Sequence, residues 1–331
     1  MEEKWNKFVE YHSESTFFHQ FRWRRVIENI YGFKSHYIVA KDEEGNIQGI
    51  LPLFEIKQLT GKKLISVPFS TEGGILYNTE KAKNLLLEQA KNLMLANGSD
   101  YLELRQEKDI GINFETKDYY YHLKLNLNPN PEIIWKQMDK KARNAVRKAR
   151  KLGLTTDKGL HYFEEFYKIF SRNMRDLGTP VDKKEFFEEI IKQFPNQVDI
   201  VVAKLNEKVI GAVFLLKHKK TIKSEWASSL KKYRGYNANQ LMYWRAIKDA
   251  CKEGFEIFDF GRSMLEEGTY KFKKKFGAKP IHMHYKYFIN KSHVPDIRKT
   301  NWKRKVFAKC WSKLPLLIAN KLGPKLREQF P

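Results

Sequence analysis

Val39-Ala40-Lys41, an acidic turn through Gly45-Asn46, and Gly49-Ile50-Leu51-Pro52-Leu53-Phe54 are matched further along by Val202-Ala203-Lys204, a turn through Asn206-Glu207, and Gly211-Ala212-Val213-Phe214-Leu215-Leu216. Each stretch reads as strand, tight turn, strand, because short apolar runs flank residues that accept turn geometry. A second pair of matches follows in the same order. An amphipathic stretch ending at Asn97-Gly98 leads into Tyr101-Leu102-Glu103-Leu104-Arg105, and one ending at Glu253-Gly254 leads into Ile257-Phe258-Asp259-Phe260 and Arg262. Both read as a helix stopped by glycine before a short buried strand. One matched hairpin could arise by chance; two matched segments in one order predict a duplicated unit.

Working outward, the first copy predicts a helix over 16–31, strands over 36–41, 46–57 and 64–68, a helix over 79–97, and strands over 100–105 and 118–125. The second copy predicts helices over 160–177 and 182–193, strands over 197–205, 208–217 and 220–228, a helix over 239–253, and strands over 256–260 and 281–289. The fold class is α/β of the α+β kind, divided into 1–130, a connecting helix 131–153, 154–290 and a tail 291–331. Helix, antiparallel meander, helix and strand in this order resemble the GNAT acyltransferase fold, whose central strands splay apart to admit an acyl donor. The expectation is two tandem GNAT-like domains, and an analogy of fold does not by itself carry function.

Composition narrows the field. Among 331 residues, 62 Lys and Arg against 39 Asp and Glu give a net charge of +23, with 42% apolar and 14% aromatic residues. That is enough apolar material for packed cores and too much positive charge for an indifferent surface. No apolar run approaches the roughly 18 to 20 residues of a membrane span, and Met1-Glu2-Glu3-Lys4-Trp5 opens without a signal-peptide core, so a cytoplasmic protein is expected. Cys251 and Cys310 have no Cys or His neighbours at ligand spacing; neither a disulfide framework nor a metal is expected.

Pro131 to Gly153 reads as one helix, with Ile134, Met138, Ala142, Ala145, Ala149 and Leu152 at helical spacing. Lys140, Lys141, Arg143, Arg147, Lys148, Arg150 and Lys151 place seven cations within twelve of its residues. A solvated face would look the same, but no acidic partner one turn on offsets these charges after Asp139, which favours an anionic ligand. The tail from Lys291 carries eleven Lys or Arg against Asp296 and Glu328. Trp302, Val306, Phe307, Cys310, Trp311 and Leu314 recur at helical spacing among Lys303, Arg304, Lys305, Lys309 and Lys313. That pattern fits a basic amphipathic helix on an anionic membrane surface, and equally an element packed against a domain.

Phe258-Asp259-Phe260-Gly261-Arg262-Ser263 reads as a buried strand ending in a small turn, and Gly268-Thr269-Tyr270-Lys271-Phe272-Lys273-Lys274-Lys275-Phe276-Gly277 follows it. A strand end followed by clustered cations suits acyl transfer, which builds negative charge on an oxygen that a positioned N–H or ammonium stabilises. Asp259 pairing with Arg262 as a structural salt bridge, with the lysines merely exposed, explains the same residues.

These two stretches, with Lys141-x-Arg143-Asn144-x-x-Arg147-Lys148-Ala149, resemble signatures of the Fem-type (FemAB) family. Thr16-Phe17-Phe18-His19, Trp23-Arg24-Arg25-Val26, Leu177-Gly178-Thr179-Pro180, Trp226-Ala227-Ser228-Ser229, Leu241-x-Tyr243-Trp244, Leu314-Pro315 and Ala319-Asn320-x-Leu322-Gly323-Pro324 are similar to the FemAB-like branch linked to exosortase and extracellular polysaccharide systems. The likeness spans nearly the whole chain and implies tandem-GNAT aminoacyltransferases that use aminoacyl-tRNA to extend cell-envelope precursors. It assigns catalysis to Phe272 and Lys273, with Asp259 and Arg262 beside them. It assigns acceptor binding to Arg24, Arg25, Trp226, Ser228 and Tyr270. The RNA donor falls to Lys140, Lys141, Arg143, Arg147, Lys148 and Arg234. No coiled-coil insertion interrupts the second copy, so the armless form is implied. The implied partners are aminoacyl-tRNA, a lipid-linked or nucleotide-linked precursor and the inner membrane face, with no DNA and no bound cofactor.

An acyl-CoA donor stays open. Lys232-Tyr233-Arg234-Gly235-Tyr236-Asn237 and Ser70-Thr71-Glu72-Gly73-Gly74 are imperfect versions of the loop that seats a pyrophosphate at a helix start. A large positive field suits tRNA, whose phosphates reward dispersed cations. A non-catalytic RNA- or membrane-binding protein explains the charge but not the duplicated layout.

Overall fold

The computed structural model describes all residues except 59–60, 118, 266, 292–301 and 331, and the side chains at 303 and 304. The first half runs α1 (Glu2–Tyr11), a short 3-10 turn, α2 (Arg22–Tyr31), β1 (Lys34–Lys41), β2 (Ile47–Gln58), β3 (Gly61–Ile65), β4 (Leu76–Tyr77), α3 (Glu80–Ala96), β5 (Tyr101–Gln106), β6 (Glu115–Lys117) and β7 (Tyr120–Asn126). The connection holds α4 (Pro131–Gln137) and α5 (Lys140–Lys151). The second half runs β8 (Leu154–Lys158), α6 (Phe163–Asp176), α7 (Lys184–Gln193), β9 (Val198–Leu205), β10 (Lys208–His218), β11 (Thr221–Ser229), α8 (Ala238–Lys252), β12 (Ile257–Met264), α9 (Gly268–Lys274), β13 (Lys279–His282) and β14 (His284–Ile289). The tail forms α10 (Trp302–Trp311) and α11 (Leu316–Arg327).

Two sheets result, and the duplication is visible in their order. One runs β1-β2-β3-β5-β14-β6, with β4 on β2, and the other runs β9-β10-β11-β12-β7-β13, with β8 outside β9. In each, a three-stranded meander meets a parallel strand delivered by a helix, β5 or β12. The next strand is exchanged: β7 of the first half lies antiparallel to β12, and β14 of the second half lies antiparallel to β5. The exchange corrects the expected strand over 281–289. It is two strands in different sheets, separated at the fully buried Met283.

The halves also share a core. Phe18, Trp23, Phe54 and Val67 pack in one cluster with Phe186, Phe187, Ile200 and Phe214, so each half buries part of its apolar surface against the other.

The expected single helix over 131–153 is likewise two. Met138 is extended, with ψ 147°, and Asp139 starts the second helix by accepting a hydrogen bond from Lys141 N at 2.7 Å, an N-cap arrangement. Ala142, Val146 and Ala149 form the buried stripe of α5, small enough to bring it close to α8. The N-terminal helix α1, anchored by the buried Trp5, was not expected, since its apolar residues are few and its sequence mostly charged. No helix among the described residues is long and apolar enough to cross a membrane.

Candidate active site

β11 and β12 pair only over Thr221–Lys223 and Ile257–Asp259, and then part. Two local irregularities separate them. On β11, Phe214 of the neighbouring strand faces Trp226 while Leu215 faces Ser224, so Glu225 is an extra, bulged residue. On β12, Asp259 faces Lys124 and Arg262 faces His122, with Gly261 between them at φ 71°, a left-handed conformation that glycine adopts without steric cost.

The equivalent opening in the first sheet is filled by the chain itself. Residues 66–75 are buried, and their carbonyls are taken up from inside. Arg105 donates to Val67 O at 3.1 Å and Ser70 O at 2.7 Å, and Tyr285 donates to Thr71 O at 2.7 Å. A Cβ on Gly73 would sit 2.6 Å from Val67 Cγ2. This loop, which the sequence offered as a pyrophosphate seat, is thus a packed plug. The loop before α8 differs: Lys231, Lys232, Arg234 and Gly235 are exposed, and a Cβ on Gly235 would meet nothing within 4 Å. Of these two loops, the one before α8 is the open one.

At the point of parting lies a buried charge cluster. Lys223 Nζ donates to Thr71 Oγ1 at 2.9 Å, Glu72 Oε1 at 2.8 Å and Asp259 Oδ2 at 3.2 Å, and lies 3.6 Å from Glu225. Burial opposes its charge, but Asp259, Glu72 and Glu225 outweigh burial and hold its pKa well above the usual lysine value. Asp259 also accepts from Gly261 N at 2.7 Å; despite burial, Lys223 leads the neighbours that keep its carboxyl well below the ordinary range. Glu225, its side chain 7 % exposed, is pushed the other way. Burial raises its pKa, Glu72 and Asp259 add to the rise, and Lys223 offsets only part of it. His122 Nδ1 lies 3.3 Å from Glu107, 3.4 Å from Glu72 and 3.5 Å from Asp259. Glu72, His122 and Asp259 could together hold a metal ion, but the Lys223 ammonium already sits between two of them and supplies the positive charge an ion would bring.

Lys273 stands beside this cluster. Its Nζ donates to Gly261 O at 3.1 Å and Arg262 O at 2.9 Å, which engages two of its three hydrogens. Burial lowers its pKa to about 8, with Asp259 and Glu225 opposing and Lys223 and Arg262 assisting the shift. A buried carboxyl of raised pKa and a lysine near neutral pKa, where two strands open, are suited to taking a proton from an amine and to stabilising an oxyanion.

Phe272 packs on Tyr243 and Phe276, and Tyr270 on Tyr121. Asp259 does not pair with Arg262: the bulge at Gly261 turns Arg262 to Tyr285 OH, at 3.0 Å, and over the Tyr120 ring. Trp226 sits among Phe186, Phe187 and Phe214, and Ser228 accepts from Asn173 at 3.1 Å. Arg24 and Arg25 lie on α2, bonded to Glu28 at 2.9 Å and Glu2 at 2.6 Å, rather than to any group of the cluster.

The cations Lys140, Lys141, Arg143, Arg147 and Lys148 lie on α5, whose start is tied to α9 by Asp139 N donating to Lys275 O at 2.9 Å. Arg147 lies over Trp135, which packs on Trp244 of α8. No carboxylate among the described residues lies within 4.0 Å of any of the seven α5 cations. Sequence reasoning missed Glu72, Glu107, His122, Lys124, Lys223 and Glu225. Lys223 and Glu225, two charges set between Ile222 and Trp226 on a strand, were the available signal; His122 and Lys124 reach the cluster only through the strand exchange.

A GNAT-type opening in the second of two duplicated α/β units is the class this geometry defines. Residues 136–274 match a family model described as an acetyltransferase (GNAT) domain. The structure is similar over 86% of this chain and 95% of the other to FemX, at 14% identity and a TM-score of 0.70. It is similar to L-PGS from Bacillus licheniformis over 98% and 96% of the two chains, at 12% identity and TM-score 0.54. A tandem GNAT protein from the clavulanic acid biosynthesis pathway covers 80% and 85%, at 9% identity and TM-score 0.52. No curated protein matches the sequence. The chain therefore carries a GNAT acyltransferase domain within a fold shared with FemX and tandem GNAT proteins.

Proposed function

We propose that the protein is a Fem-type aminoacyltransferase working at the inner face of the membrane. It moves an amino acid from aminoacyl-tRNA to an amine of a cell-envelope precursor, peptidoglycan-like or a lipid- or nucleotide-linked saccharide. The observation that carries this reading is α5: seven cations without carboxylate partners among the described residues, on a helix tied to α9 and packed against α8. Phosphates laid along α5 would bring a donor's end toward the opening between β11 and β12. The acceptor amine attacks the ester carbonyl, Glu225 takes its proton, and the free hydrogen of Lys273 faces the developing oxyanion. The C–N bond forms as the ester C–O bond breaks, and the ribose oxygen leaves as a hydroxyl with the proton that Glu225 returns to it. Arg24, Arg25, Trp226, Ser228 and Tyr270 remain proposed acceptor contacts, reached by the acceptor rather than joined to the cluster.

The open loop at Lys231–Tyr236 before α8 favours a second reading, an acyl-CoA donor seated on that helix start, acting in extracellular polysaccharide synthesis. Incubation with labelled aminoacyl-tRNA or acetyl-CoA, followed by candidate precursors, separates the two. Transfer from acetyl-CoA alone would overturn the RNA reading, and RNA binding without transfer from either would leave a non-catalytic binding protein.

A further inference from the structure

The tail helices are fixed to the second half. Ala308 of α10 packs so tightly on Gly178 that no Cβ fits there, and Gly323 of α11 lies against Val181, where a Cβ would come within 3.1 Å. Trp311 and Ala319 are buried. Arg175 donates to Leu314 O at 2.8 Å, Arg327 pairs with Asp182 at 2.9 Å, and Lys183 pairs with Glu328 at 2.7 Å. The docking uses one side of each helix.

The outward side of α11 carries Leu317, Ile318 and Leu322, exposed by 85 %, 44 % and 45 %, with Lys321 and Lys325 among them. On α10, Val306, 53 % exposed, stands with the exposed Lys305 and Lys309. Neither outward face carries an acidic residue, and none of these lysines has a carboxylate within 4.0 Å among the described residues. Exposed Leu and Ile interleaved with unpaired lysines, on a rigid mount, match an interface of apolar chains beneath anionic headgroups. RNA would use the lysines but leave the leucines in water.

We propose that the outward faces of α10 and α11 are a docking surface for an anionic lipid bilayer. This deepens the preceding reading by naming the surface that holds the enzyme to a membrane. Its test involves no turnover, so its failure is distinguishable from failure of that reading. Full-length protein is sedimented with vesicles of phosphatidylcholine alone and of phosphatidylcholine with phosphatidylglycerol, at low and high salt. Binding is expected to the anionic vesicles only and to weaken with salt. The variant Leu317→Ser/Ile318→Ser/Leu322→Ser should lose at least about tenfold in partitioning with an unchanged melting temperature. Lys321→Gln/Lys325→Gln should lose roughly fivefold per lysine at low salt. Indifference to anionic vesicles, equal binding to neutral ones, or undiminished binding by the leucine variant would overturn the proposal. So would a concentration-dependent dimer that the leucine variant abolishes.

Discussion

Lys273 illustrates how a side chain can be legible in type and obscure in circumstance. Its place after a glycine-ended strand pointed to charge stabilisation, and the same residues also fitted a lysine that was merely exposed. Because its ammonium holds Gly261 O and Arg262 O, Lys273→Ala should lower transfer by about 10²-fold and also cost about 1–3 kcal/mol from two stranded carbonyls. Turnover and denaturant titration of one preparation check both. The pH response has a definite sign. With a folded pKa of about 8 below the ordinary lysine value, the unfolded chain holds the extra proton between pH 8 and roughly 10.5. Stability from this group therefore rises across that window, while kcat/KM falls above pH 8 as the charged form is lost. A flat kcat/KM from pH 7 to 9.5 would remove Lys273 from the chemistry. Glu225→Gln should lower turnover by roughly 10²–10⁴-fold without destabilising the fold, since it removes a carboxyl crowded by Glu72 and Asp259; in the native enzyme, activity should fall as acid protonates Glu225. Asp259→Ala behaves differently. It deprives the buried Lys223 of a partner and should cost about 3–5 kcal/mol, and an unchanged melting temperature would contradict that.

At the level of elements, the helices other than α1 and the meander strands could be read from periodicity, since each keeps its apolar stripe facing one layer. What failed were decisions about continuity. The run over 131–153 keeps helical spacing through Met138 and Asp139, so nothing in the pattern marks a break that capping by Asp139 imposes. Leu177-Gly178 and Leu322-Gly323-Pro324 lie far apart in the sequence, and the structure joins them in one docking contact. Replacing Lys140, Arg143 and Arg147 with Gln should flatten the dependence of log affinity for an RNA acceptor arm on log salt by about two units, from roughly 0.7 per lost phosphate contact. Filter binding at four salt concentrations suffices, and an unchanged slope would place the RNA elsewhere.

For the whole molecule, the duplication was readable because two segments repeat in order, but the exchange of β7 and β14 was not. Sequence patterns state that a strand is apolar on one or both faces; they do not state which sheet receives it. As a result the candidate site, where His122 and Lys124 of β7 meet Asp259 of β12, is assembled from segments that the repeat assigned to different units. A fragment of residues 1–130 should fail to fold alone, lacking the strand that covers β5, and should be recovered with residues 131–331 when both are co-expressed. A cooperative melting transition of the isolated fragment would refute this. The exchange also sets a schedule for biosynthesis. The edge of β5, finished at Gln106, waits for a strand ending at Ile289, about 180 residues later, which at ribosomal speed is on the order of ten to forty seconds. Throughout that interval the nascent chain offers the unpaired edge of a strand bearing Leu102 and Leu104 to any neighbour, so the demand this architecture places on chaperones arises from the order in which its strands emerge.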